Sequence, residues 1–251
     1  MARPFRSSRP IAWRLVVVVL SALFARTDAS FAVVDCHDNA VIGNIVGAGV
    51  AGNRDGRFEK SLLNSPSSVS CNSTLCYLSD SGNHAIKTLT LSKNEMVHLA
   101  GSSEGSSGLR DGQASEAACG SSSNPTEPLF SSPQGVVLVS QTSAYFSRGD
   151  VLVADAGNNA IRKVSGKTVS TVISGLSTPP MALVLDESDG AIYFLSNSTH
   201  HLSKLSYNAV SATSVAGSQT TAGMVDSATA SSARFSAPEG LTLDAANRTL
   251  Y

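Results

Sequence analysis

An all-β fold built on an internal repeat is what this sequence predicts, and three observations carry the prediction. Charged residues fill only 15% of the 251 positions, against roughly 25% in an average soluble domain. The polar remainder is largely Ser, Thr, Gly and Asn, a composition of short strands joined by turns rather than of helical bundles. One order of apolar run, Asp-containing turn and second apolar run returns several times along the chain. Some of those runs are apolar without alternation, as suits strands covered on both faces. Lys and Arg number 18 against 19 Asp and Glu, a net charge of −1. That balance provides no basic footprint for nucleic acid or an anionic membrane surface.

Residues 1–29 are expected to form a secretory signal peptide. Arg3, Arg6, Arg9 and Arg14 precede an apolar stretch from Leu15 to Ala25, too short for a bilayer crossing of about 20 residues. Thr27-Asp28-Ala29 supplies a small-x-small cleavage site, with Ser30-Phe31-Ala32 as second choice. The rival reading is an uncleaved anchor reaching back to Ile11, which would tether the chain to a membrane. Residues 30–44 then form a lead-in and residues 45–251 the repeat region.

The cysteines agree with a secreted or luminal chain. Cys36, Cys71, Cys76 and Cys119 all follow the expected cleavage point, so disulfides are permitted. Cys71 and Cys76 bracket Asn72-Ser73-Thr74-Leu75, which reads as a turn between two strands. Bridging them leaves Cys36 for Cys119, although four cysteines allow three connectivities. The spacings match no zinc pattern. Asn72, Asn197 and Asn247 each begin an Asn-x-Ser/Thr glycosylation signal, and Pro125 excludes Asn124.

The repeat is nearly complete between Leu129 and Gly175. Phe130-Ser-Ser-Pro133-Gln-Gly135 leads into Val136 to Val139, Val151-Leu-Val-Ala154 leads into Asp155-Ala-Gly157-Asn158-Asn159, and Ile161-Arg162-Lys163-Val164 follows. The same order runs from Ser65-Pro66 through Asp80-Ser-Gly82-Asn83-His84 to Ala100-Gly101. It weakens from Pro179-Pro180 through Ser196 and His201 to Ala216-Gly217, and starts again at Phe235-Ser-Ala-Pro238. A period of about 40 residues with four short strands per unit is the signature of propeller blades. Val151 to Ala154 is apolar throughout, so both faces are expected to be covered. Ile161-Arg162-Lys163-Val164 alternates and is placed further out, with one face in water. In the turns, Asp accepts backbone hydrogen bonds while Gly and Asn supply the left-handed conformation. Asp80, Gly82, Asn83 and His84, and Asp155, Gly157 and Asn158, are therefore structural turn residues rather than catalytic ones.

Asp-x-Gly-Asn-(His/Asn)-x-Ile-(Arg/Lys), preceded by Phe-x-x-Pro-x-Gly and by linkers such as Gly49 to Asp55-Gly56 and Gly101 to Asp111-Gly112, resembles the NHL-repeat β-propellers. The resemblance covers residues 45–251. It is weak in the third copy, where Ser196 replaces Asp and Ser203 the basic residue. It implies four-stranded blades, usually about six, closed by pairing the first and last strands. Three complete repeats and the start of a fourth are present, so the expectation is a piece of a longer protein, with assembly of several chains into one ring as the rival. A Ser/Gly-rich insertion near 102–128, containing Cys119, lengthens one linker and reads as a tolerated loop.

Candidate chemistry is sparse. His37, His84, His98, His200 and His201 form no recognisable ligand set, and adjacent His200 and His201 point to opposite faces of an extended chain. Gly47-Ala-Gly49-Val-Ala-Gly52 matches a dinucleotide fingerprint in form, but an Asp-Gly turn follows it instead of a helix. No metal and no cofactor are expected. The resemblance implies an interaction scaffold with a protein or glycan ligand; the expected leader places it outside the cell or at its surface, and the missing basic face excludes the RNA binding known for some propellers of this kind. Two alternatives stand beside it: a propeller lyase or hydrolase with a metal in its central channel, and the ectodomain of a membrane-anchored receptor.

Overall fold

A computed structural model describes residues 17–18, 31–33, 43–114, 127–196 and 198–251. Most of the expected leader, Cys36, Cys119, His37, Asn197 and the middle of the Ser/Gly-rich insertion lie outside the described residues. The described residues form an all-β fold, whose only helical pieces are single 3-10 turns. No helix among the described residues is long and apolar enough to cross a membrane.

Strands β1 (Val17–Val18), β2 (Phe31–Val33) and β3 (Gly43–Val46) pair in one small sheet. Three antiparallel meanders follow. The first contains β4 (Gly56–Arg57), β5 (Pro66–Cys71), β6 (Leu75–Asp80), β7 (Ala85–Thr90) and β8 (Glu95–Gly101). The second contains β9 (Gly112–Gln113), β10 (Pro133–Leu138), β11 (Val151–Asp155), β12 (Ala160–Ser165) and β13 (Thr168–Ile173). The third has only β14 (Ala182–Asp186), β15 (Ala191–Ser196), β16 (His201–Leu205) and β17 (Thr213–Gly217). A last hairpin joins β18 (Leu243–Asp244) to β19 (Thr249–Leu250).

In the first two meanders a two-residue strand from the preceding linker covers the outer edge: β4 pairs with β8, and β9 with β13. The third meander ends at β17. Register is otherwise held from sheet to sheet, even to a shared irregularity between the third and fourth strands, at Ile86/Lys87, Ile161/Arg162 and Leu202/Ser203. The opening strands are neighbours: β10 lies beside β5 and β14, and β14 beside β18.

The sheets pack face to face, which explains the apolar strands. Along β11, Val151 and Val153 enter a core shared with Ile86, Ala100 and Phe130 of the first sheet and its linker. Leu152 and Ala154 enter a second core with Leu183, Ile192 and Phe194 of the third sheet. A strand buried on both sides has no solvent face to keep polar.

The third strand of the second sheet departs from expectation. Arg162 is fully buried, although its strand was expected to lie further out with one face in water; Lys87, at the matching place in the first sheet, is nearly as buried. An alternating pattern identifies which residues share a face, not whether that face meets solvent.

Candidate functional site

In each of the first two sheets the turn residues and linker acids converge on one buried polar cluster. Asp80 Oδ1 accepts the Asn64 N–H at 2.6 Å, and Asn83 Nδ2 donates to Asp80 Oδ2 at 2.7 Å and to the Gly52 carbonyl at 2.8 Å. Lys87 Nζ donates to Asn53 Oδ1 and Asp55 Oδ1, both at 2.7 Å. The second sheet repeats the design with Asp155 Oδ1 on the Ser131 N–H at 2.7 Å and Asn158 Nδ2 on Asp155 Oδ2 at 2.7 Å. There Arg162 reaches both acids, Asp155 at 3.0 Å and Asp111 at 2.7 Å, and also the Leu129 and Arg110 carbonyls at 2.9 Å. A guanidinium fork spans two acids where the shorter point charge of Lys serves one. Burial pushes the Asp80 carboxyl up to about 6, against the pull of the Asn64 N–H, Asn83 and Lys87; burial raises Asp155 likewise.

These clusters tie each linker to the sheet it precedes. The Asp55 and Asp111 carboxylates also accept backbone N–H groups of the fourth strand of each meander, β8 and β13, from His98 at 2.7 Å and from Thr171 at 3.1 Å. Gly82 and Gly157 are needed for close approach: an added Cβ would lie 2.8 Å from the Asn64 carbonyl and 2.7 Å from that of Ser131. The left-handed conformation falls one residue beyond the expected position, on His84 and Asn159, with φ 55° and 48°. His84 Nδ1 accepts the Ser132 N–H at 2.9 Å, and His200 Nδ1 the Ala237 N–H at 3.0 Å. Each histidine thereby staples its turn to the entry of the next sheet.

The third sheet has lost the whole device together. Its linker, residues 174–181, contains Pro179 and Pro180 but no Asp-Gly, so it can supply neither a fifth strand nor a carboxylate. Ser196 and Ser203 replace the acid and the base, and Ser198 stands where Gly82 and Gly157 do. Ser196 Oγ accepts from Thr199 Oγ1 at 2.8 Å, and Thr199 Oγ1 lies 2.9 Å from His201 Nδ1. A buried base without its acid is costly, so removing all partners at once is the tolerable route.

An aromatic cleft occupies the space that a longer linker fills elsewhere. Between the first and second sheets, linker residue Ala114 caps the core. Between the second and third, the cap is Tyr145 and Phe146 from the β10–β11 loop, with Tyr207 from the β16–β17 loop. Tyr207 meets both rings edge-on, with centroids 4.9 and 5.7 Å apart. The cleft holds about 190 Å³ and is walled by Lys163, Thr171, Ile192 and Leu205. Its aromatic loop is braced internally: Ser143 Oγ accepts the Tyr145 and Phe146 N–H groups, and Asp150 Oδ2 that of Ser147. Gly190 is required beside it, since a Cβ there would meet the Tyr145 ring at 2.5 Å. Tyr207 remains 40% exposed, so the cleft opens to solvent. Sequence reasoning passed over these aromatics because they lie between copies of the motif. The signal was loop length: β10 and β11 are joined by residues 139–150, β5 and β6 by residues 72–74 alone.

The remaining expected residues are dispersed. Cys71 and Cys76 form a disulfide across the β5–β6 turn, their Cα atoms 4.0 Å apart. Asn72 is exposed at that turn and Asn247 at the β18–β19 turn. Burial, then the Lys87 charge, lowers the His98 imidazole to about 4, and its Nδ1 is buried without a hydrogen-bond partner. Among the described residues no three His, Cys, Asp or Glu side chains are grouped to hold a metal ion.

No protein-family model and no curated protein matches the chain. Among solved structures it is similar to a chain of a nidogen–laminin complex, at 13% identity over 76% of this chain and 57% of that one, TM-score 0.49. An auxiliary nutrient binding protein from Bacteroides thetaiotaomicron is 12% identical over 88% of this chain and 64% of its own, TM-score 0.40. A virginiamycin B lyase from Staphylococcus aureus, crystallised with quinupristin, is 12% identical over 74% and 47%, TM-score 0.42. The chain thus spans less than two thirds of each of these structures, and likeness at this level assigns it neither a family nor an activity.

Proposed function

We propose that this chain is part of an NHL-type β-propeller, secreted or at the cell surface, that binds a protein or glycan ligand at the junction of its second and third sheets. The meanders act as four-stranded blades, and the linker strands β4 and β9 as clasps on two of them. The observation that carries the reading is the Tyr145, Phe146 and Tyr207 cleft. Its aromatic rings stand beside polar groups of Lys163, Thr171 and Asn208, and its aromatic loop is braced by Ser143 and Asp150. Its volume is below the ~300–1,000 Å³ of small-molecule pockets, so it fits one ring or one side chain of a larger ligand. Partly exposed aromatics with a polar handle serve such anchoring.

The reading is tested by screening the purified chain on arrays of glycans and of extended peptides, then repeating the screen with Tyr145→Ala and Tyr207→Ala. Each substitution is expected to weaken the strongest binding at least about tenfold, the scale of an interface anchor. Unchanged binding in both variants would overturn the cleft as the site.

A further inference from the structure

We infer that the outer edge of β17 is a docking strand for an extended, uncharged polypeptide segment, which pairs with it by strand addition and places an apolar side chain in the neighbouring aromatic cleft. The inference rests on the cleft reading and chooses polypeptide as its ligand class. Two copies of the same edge within this molecule show what belongs there. On the first sheet β4 pairs with β8 while the Asp55 carboxylate takes the His98 N–H; on the second, β9 pairs with β13 while Asp111 takes the Thr171 N–H. Register equates His98, Thr171 and Ser214, which lie opposite Lys87, Arg162 and Ser203. The Ser214 amide therefore faces outward, and no described strand pairs with β17 on that side. Thr213 and Ser214 are exposed, whereas His98 and Thr171 are half-buried.

Charge selects the occupant. With Ser203 in the place of Lys87 and Arg162, the third sheet lacks the buried cation that holds an acidic linker, and the neighbouring Lys204 is engaged by Asp189 at 3.6 Å. From Leu205 to Val225 the chain contains no Asp, Glu, Lys, Arg or His. Edge strands are ordinarily blunted with charge, proline or a covering segment; β17 has neither charge nor proline, and the turn at Ala230–Ser232 packs near it without taking up its backbone hydrogen bonds. The β16–β17 loop continues the surface: Ala209 lines the cleft, and Val210 is 96% exposed. Main-chain pairing with a side-chain pocket alongside is the usual division of labour in strand addition, the ladder giving affinity and the pocket specificity.

The test titrates the whole chain with the capped heptapeptide acetyl-Gly-Thr-Val-Phe-Val-Thr-Gly-amide, with its analogue N-methylated at alternate amides, and with a Ser214→Pro variant. Proline is tolerated on an outward edge while removing its donor. Binding is expected with the parent peptide, weakened at least about tenfold by N-methylation and by Ser214→Pro. Should Ser214→Pro fail to fold by circular dichroism, the N-methylated peptide decides. Binding that survives N-methylation but disappears in Tyr207→Ala would leave the cleft reading standing and overturn strand addition. Peptide-free binding of a glycan at the cleft would overturn it too, as would a dimer that Ser214→Pro converts to monomer without any peptide being bound.

Discussion

Arg162 sits where water does not reach, and its stability depends on having both of its acids in place. Removing a partner from a buried pair strands the other charge at a cost of about 3–5 kcal/mol, so Arg162→Met is expected to destabilise by that order in urea unfolding. The third sheet suggests the compensated route. Asp155→Ser with Arg162→Ser should cost less than the sum of the single changes, with a coupling of about 1–3 kcal/mol in a double-mutant cycle; strict additivity would mean that the pair is not the unit. His98 and Asp80 give the pH dependence. His98 is held neutral, from 6.5 down to about 4, so its contribution is present above about pH 6.5 and is lost as pH falls through 4. Asp80 is raised from 3.8 to about 6, so its contribution is present below 3.8 and is lost as pH rises through 6. Between pH 4 and 6 the two oppose each other. Acidification from pH 6.5 to 4 should therefore destabilise His98→Gln less than the wild type, and Asp80→Asn more, in denaturant midpoints at the two pH values.

The recurring turn is an element whose residues divide the work differently from what its letters suggest. Gly157 makes room for the Ser131 carbonyl, and the left-handed step belongs to the residue after Asn158. Gly157→Ala is expected to cost about 1–3 kcal/mol through that clash. Ser198, at the matching place in the third turn, already has a side chain, and Ser198→Ala should be close to neutral; equal costs at both positions would contradict the linker-contact account. The repeat and the two-faced strand β11 were legible because each needs only a pattern: spaced turn residues, and an unbroken Val-Leu-Val-Ala run. The burial of Arg162 was not, because one of its two acids, Asp111, is far off in the chain and meets it only once the linker folds back. The cleft was hidden for a related reason. Tyr145, Phe146 and Tyr207 belong to no period, and their meeting depends on the short linker at 174–181 leaving the junction open.

Across the molecule the sheets are variations on one unit, and the proposed function lies in how the third differs. Where a linker carries Asp-Gly, it clasps the sheet after it through a strand, a carboxylate and a buried base, as at Asp55 with Lys87 and Asp111 with Arg162. Where the linker is short, clasp, acid and base are absent together, and an open edge lies beside an aromatic cleft. Loss of a structural lock and gain of a binding surface are then one event. The most direct measurement is site-resolved amide hydrogen exchange on the unliganded chain at neutral pH. The His98 and Thr171 amides, bonded to linker carboxylates, should be protected, while the Ser214 amide at the equivalent register exchanges at least about tenfold faster. Protection at Ser214 equal to that at His98 and Thr171 would mean that the third edge is covered, and would contradict the account.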